Sequence, residues 1–172
     1  MTPGVNRLHE NLVRLQSVLD KIEFDFVDDP HWSEPSDFNY LKEDHRADPD
    51  IMANFEAMNA TNQFISWFGR DHEGFVGLWR GPDNTPTELA PVVRLDSEGQ
   101  YNLLALTVPD YIAASVMDED FDDTRAALLA VGFKVAASRR DIWAELDGLN
   151  DPNAVRHALY NQNRLRRGLQ PI

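Results

Sequence analysis

The chain has 172 residues, 29 Asp and Glu against 16 Lys and Arg, a formal net charge of −13 and no cysteine. That length points to a single domain with a core large enough to stand without covalent staples, and a hydrophobic fraction of 42% with four tryptophans argues against disorder. The missing cysteines exclude disulfides, thiol nucleophiles and thiolate metal sites. The charge argues against nucleic acid, whose phosphates need a basic surface. A basic protein is the natural partner of such a chain, and plain solubility is the other reading of its charge.

The first ten residues carry no apolar stretch of the signal-peptide kind, and the longest apolar run, Ala126 to Val131, is far short of the ~20 residues a membrane span needs. The expectation is a cytoplasmic protein with no membrane attachment; the triplet Asn59-Ala60-Thr61 then reads as a chance sequon. The charge is regional. Residues 1–116 carry −12 of it, and residues 117–172 carry −1, because the acids at 118–123 are offset by Arg156, Arg164, Arg166 and Arg167.

Val5 to Ile22 places Val5, Leu8, Leu12, Leu15, Val18, Leu19 and Ile22 at i, i+3/i+4 spacing, which predicts one amphipathic helix. Glu23 to Asp50 is dense in Asp, Glu, Pro and His and reads as irregular, with a turn of helix near Ser36 to Leu41. Asp48-Pro49 is an N-cap followed by proline at the first helical position and opens a helix through about Asn59. Four strands follow: Gln63 to Gly69, Gly74 to Arg80, Val92 to Leu95 and Tyr101 to Leu106, the last two joined by a turn with Gly99 at a position suited to positive φ. Short connections between them predict an antiparallel meander, with an edge strand open to pairing. Their aromatics Trp67, Phe68, Phe75 and Trp79 are expected in the core.

Helices return after the sheet. Thr107 to Met117 has Pro109 near its start. Asp122 or Asp123 is positioned to cap a helix ended by Gly132, and Ser138 to cap a helix through Leu146 anchored by Ile142 and Trp143. Asp151-Pro152 opens a last helix bearing Val155, Leu159, Gln162 and Leu165 and closed by Gly168. Its terminal arginines complement the helix dipole. The fold class is therefore α+β: a central, mainly antiparallel sheet of about four strands flanked by N-terminal and C-terminal helices. The chain is expected as one domain over 1–172, a core of 1–117 with a helical extension of 118–172.

The chemistry-bearing motifs are missing. There is no phosphate-binding glycine loop, no His-Glu-x-x-His, no histidine pair at i, i+4 and no Gly-x-Ser-x-Gly. Neither catalytic residues, nor metal ligands, nor a cofactor are assigned. The run Asp118, Glu119, Asp120, Asp122 and Asp123 fails as a calcium loop, since that template needs glycine where Asp123 stands and glutamate where Leu129 stands. It is either a solvated linker with helix caps or a negative patch for a cationic partner. Asp28, Asp29, Glu43 and Asp44 form a second acidic patch, and Trp32 beside them is a candidate exposed aromatic contact.

Residues 64–114 resemble the SUKH superfamily, which includes a yeast cell-wall-synthesis regulator and many bacterial immunity proteins. The resemblance runs through Phe64-Ile65-Ser66-Trp67-Phe68-Gly69, Gly74-Phe75-Val76-Gly77-Leu78-Trp79, Pro91-Val92-Val93-Arg94-Leu95-Asp96 with its Gly99 turn, and Leu104-Ala105-Leu106-Thr107-Val108-Pro109-Asp110-Tyr111-Ile112. The family's Leu-Pro phrase after the first helix has no counterpart, and the tail beyond Asp118 extends past the usual domain. The resemblance implies an α+β protein-binding domain without an active site, in bacteria often one that neutralises a toxin. Three functional readings follow: an immunity protein that binds and blocks a basic toxin domain, a regulatory scaffold with several partners, and an enzyme that uses scattered carboxylates or histidines. The enzyme reading requires a polar cleft that gathers such groups.

Overall fold

The strand-forming middle of the sequence folds as the meander that its short turns dictate. In the computed structural model, which describes residues 3–27, 29 and 32–172, the strands β2 (Ile65–Asp71), β3 (Gly74–Trp79), β4 (Val92–Asp96) and β5 (Tyr101–Ala105) pair in sequence order, each antiparallel to the last. A fifth strand was not foreseen: β1 (Asp25–Phe26) pairs with β2, Asp25 opposite Arg70 and Phe26 opposite Gly69. Two residues carry no readable alternation, and the strand exists only because β2 offers its edge. The β2–β3 turn is tied by Asp71, whose Oδ1 accepts from the Glu73 and Gly74 amides. A Cβ on Gly74 would lie 2.1 Å from the Leu95 carbonyl oxygen, so only glycine lets β3 approach β4 there. Gly99 takes φ +78 in the β4–β5 turn, as expected.

The N-terminal helix is two helices, α1 (Pro3–Glu10) and α2 (Leu12–Leu19), followed by a 3-10 turn at Asp20–Ile22. Asn11 interrupts the run: its side-chain amide donates to the Arg7 carbonyl at 2.9 Å, the local competition that makes asparagine poor inside helices. The apolar stripe survives the break, with Val5, Leu8, Leu15, Val18, Leu19 and Ile22 all buried. The acidic segment after it is more ordered than its composition suggests. A 3-10 turn at Glu34–Ser36 replaces the expected one at Ser36 to Leu41, and a short helix α3 (Glu43–Ala47) follows. Arg46 of α3 reaches back to the Phe38 and Leu41 carbonyls and holds the bend between them, which the Leu41 amide closes by donating to the Phe38 carbonyl. Then α4 (Pro49–Asn62) starts where Asp48 caps it, accepting from the Asp50 and Ile51 amides.

After the sheet come α5 (Val108–Ser115), capped by Thr107, and α6 (Phe121–Ala130), then α7 (Arg139–Ala144), capped by Ser138, and α8 (Pro152–Arg166), capped by Asp151. The capping expectation fails at α6. Asp120 occupies the N-cap, no side chain bonds there, and Asp122 and Asp123 lie in the first turn, where they complement the positive helix end instead. Along α8 the inward stripe is also shifted: Asn163 is buried while Gln162 and Leu165 are exposed. The reason lies on α4, where Ala53 and Ala57 are fully buried and small enough for Asn163 to reach the Ala53 carbonyl at 3.2 Å.

Helices cover both faces of the sheet. On one face α1, α2, α5, α6 and α7 enclose a core with Phe68, Val76, Leu78 and Val92 from the strands. On the other, α4 and α8 cover Ile65, Trp79, Val93, Leu95 and Tyr101. Phe121, Leu128, Phe133, Val135 and Ile142, all beyond residue 117, belong to the first core. Phe68 and Trp79 are buried as expected, while Trp67 and Phe75 are half-buried beside the second core. The open edge strand does not persist at Tyr101: the Asn153 side chain accepts from its amide at 3.0 Å and donates to its carbonyl at 2.6 Å.

Candidate functional site

The acidic run at 118–123 forms a 3-10 turn, Asp118–Asp120, that leads into α6. Two of its members are paired. Arg139 of α7 forms an ion pair with Asp118, donates to the Val116 carbonyl and lies over the Phe121 ring at 5.4 Å. Lys21 pairs with Asp120 across 99 residues of sequence. Glu119, Asp122 and Asp123 are exposed, and no cation pairs with them among the described residues. The Lys21 bridge sets the run beside the Asp20–Ile22 turn, which begins with Asp20 and is followed by Glu23. These residues sit at the end of a helical stripe and in a strand approach, so no sequence signal joined them to the run.

The same turn borders an open cleft of about 370 Å³ lined by Asp20, Glu23, Asp25, Arg70, Asp71 and His72, among others. It gathers carboxylates with a histidine, the arrangement an enzyme would need, but its most buried acid is already committed. Asp71 Oδ2 accepts from Arg94 Nε at 3.0 Å, Arg94 Nη2 at 2.5 Å and the Tyr111 hydroxyl at 2.8 Å, while Oδ1 holds the turn amides. Five hydrogen bonds on two oxygens leave no lone pair placed to take a proton from a substrate. Burial, reinforced by the Asp71 charge and hydrogen bond, holds the Tyr111 hydroxyl protonated far into the alkaline range. Arg70 is shared between Asp25 at 3.5 Å and Glu34 at 3.7 Å. His72 Nδ1 stands 3.2 Å from the Ile22 carbonyl and Nε2 lies 3.9 Å from Glu73 Oε1, so both ring nitrogens face acceptor oxygens. Among the described residues no group of three or more His, Asp or Glu is arranged to hold a metal ion.

The second acidic patch does not join the first. Asp28 lies outside the described residues, and the Asp29 carbonyl accepts from the Trp32 amide at 3.1 Å. Glu43 and Asp44 are exposed on α3, which packs on α4 and thus on the opposite face of the sheet from α6. Trp32 is not an open contact residue. It is half-buried, edge-on to Phe75 with ring centres 5.5 Å apart, and its Nε1 donates to Glu34 at 3.2 Å. An aromatic residue in an acidic loop leaves its packing partner unstated, and Phe75 lies 43 positions further along the chain. No helix among the described residues is long and apolar enough to cross a membrane. No model of a known protein family, no curated protein and no solved structure matches this chain.

Proposed function

We propose that this chain is a non-enzymatic protein-binding domain whose acidic surface at the start of α6 engages a basic partner, in the manner of an immunity protein that covers a toxin domain. The carrying observation is that Glu119, Asp122 and Asp123 are exposed, with no cation partner among the described residues, on a framework fixed by two ion pairs, Lys21 with Asp120 and Arg139 with Asp118. A rigid, uncompensated patch of one sign raises the encounter rate with an oppositely charged surface and turns away nucleic acid. The commitment of Asp71 to structural hydrogen bonds favours binding over catalysis, and the resemblance of residues 64–114 to the SUKH superfamily favours the same reading. Bacterial toxin domains that act on nucleic acid are expected to be basic, which is the surface this patch complements.

The test is co-expression with the product of the adjacent open reading frame, followed by co-purification and a growth assay. A stable complex and restored growth are expected. Charge reversal of Asp122→Lys with Asp123→Lys should slow association at low salt, and added salt should do the same to the wild type. The absence of both a complex and protection would overturn the proposal. Recovery of several unrelated partners without a toxin would favour the scaffold reading, which the exposed Glu43 and Asp44 on the far face support.

A further inference from the structure

Large apolar side chains exposed singly are ordinary on a protein surface, but two here border the same arginine. Met117 is 70% exposed and Trp143 is 54% exposed. Trp143 was expected to anchor α7 inward; only Ile142, 1% exposed, does so. Arg139 grips the chain on both sides of Met117, through the Val116 carbonyl and the Asp118 carboxylate, with its guanidinium resting over Phe121. Met117 is thereby fixed outward. Trp143 follows Arg139 by one turn on the same face of α7, and helical side chains lean back over the preceding turn, toward Arg139. With Ile142 seated in the core, α7 has no room to roll and bury the indole. The charge of Arg139 is met by Asp118, and of the exposed charges on α7 and at the start of α6 the three carboxylates of Glu119, Asp122 and Asp123 outnumber the one guanidinium of Arg140.

We propose that Met117 and Trp143 are the apolar anchor of the acidic surface, and that its occupant is an amphipathic basic helix of the partner protein. This rests on the protein-binding reading above and names the chemistry of the segment bound. An apolar pair on a surface where carboxylates outnumber free cations is complementary to an apolar stripe flanked by Lys and Arg. Methionine adapts its shape to the stripe, and tryptophan is the residue type that most often dominates interface energy. A second copy of this chain is disfavoured, since it would bring the same negative rim against itself.

Two synthetic peptides of equal charge and length test this on the full chain: an amphipathic lysine–leucine helix and a lysine–glycine peptide with no apolar face. The lysine–leucine helix should bind roughly tenfold tighter or better, one well-packed apolar anchor being worth that factor, and should shift tryptophan emission to the blue. Trp143→Ser and Met117→Ser should each lower its affinity toward that of the lysine–glycine peptide, with the urea midpoint unchanged, and Trp143→Ser should abolish the emission shift. Glu43→Lys with Asp44→Lys, on the opposite face, should change neither. Equal binding of both peptides with no emission change would overturn the anchor while leaving the charge-based reading standing. Binding of neither would overturn both. A concentration-dependent dimer lost in Trp143→Ser would overturn the choice of occupant.

Discussion

Asp71→Asn removes the negative charge from the most heavily bonded carboxylate in the fold and leaves its size almost unchanged. The Asp71 side chain is fully buried and that of Arg94 is 9% exposed. The substituted amide still accepts the Glu73 and Gly74 N–H groups, but toward Arg94 it offers a neutral group where a carboxylate stood. Stranding one partner of a buried ion pair costs ~3–5 kcal/mol. Here Glu73, half exposed, also pairs with Arg94 and softens the loss, so the lower end of that range, ~3 kcal/mol, is expected. In a chain of this size that lowers Tm by roughly 6–12 °C. Arg94→Met should cost a similar amount by leaving the carboxylate with fewer donors. The double variant should then cost less than the sum of the two, with a coupling of ~1–3 kcal/mol, as contacting residues show. Urea unfolding of the four proteins measures every corner of this cycle. A loss below ~1 kcal/mol for Asp71→Asn, or strict additivity, would refute the view that this network is a buried and mutually dependent pair.

Three further outcomes follow from the same structure. Burial raises the Tyr101 hydroxyl pKa, only partly offset by the Arg156 charge, and Tyr111 is raised likewise. Both stay protonated in the fold while the unfolded chain releases its protons above pH ~10, so stability is fully present below that pH and falls as pH rises beyond it, by about 1.4 kcal/mol per pH unit for each tyrosine. Denaturant titrations from pH 8 to beyond 11 should show stability level at first and then falling, less steeply in Tyr101→Phe. Thr124 is 1% exposed and its hydroxyl has no partner among the described residues, so Thr124→Val should raise stability by ~1 kcal/mol, read as a shift of the urea midpoint at constant slope. Asn153→Ala removes both side-chain bonds to the Tyr101 backbone and should promote self-association on sedimentation, while Asn153→Gln, one methylene longer, should restore the block only in part.

The elements that could be read in advance are those whose signal is local. Asp48-Pro49, Ser138 and Asp151-Pro152 each announce a helix start within three residues, and each side chain caps as its chemistry dictates. The four longer strands are legible because β-prone residues are bounded by glycine turns, down to the positive φ of Gly99. What escaped depends on partners distant in sequence. β1 needs the edge of β2, and the rotation of α8 needs the alanines of α4. The same holds for the candidate site. Sequence identified Asp118 to Asp123 as a charge run, but its contact with the Asp20–Ile22 turn goes through Lys21, 99 positions away. That Glu43 and Asp44 face the other way is a property of the sheet, and no spacing in the chain encodes it. Trp143 escaped because an apolar residue beside Ile142 reads as a second inward anchor until a packed structure leaves it outside, and Met117 carried no reading of its own.

The Asn153 amide at the β5 edge bears on the order in which the chain is made. Tyr101 precedes Asn153 by 52 residues, so during synthesis at typical ribosomal speed the completed meander waits ~3–10 s for the group that closes it. Trp79 waits longer, its indole N–H donating at 3.1 Å to the Asn150 carbonyl 71 residues on. The residues around 150–153 therefore act as a latch delivered late, and a nascent chain halted before them would present a finished sheet whose last strand is still unclaimed.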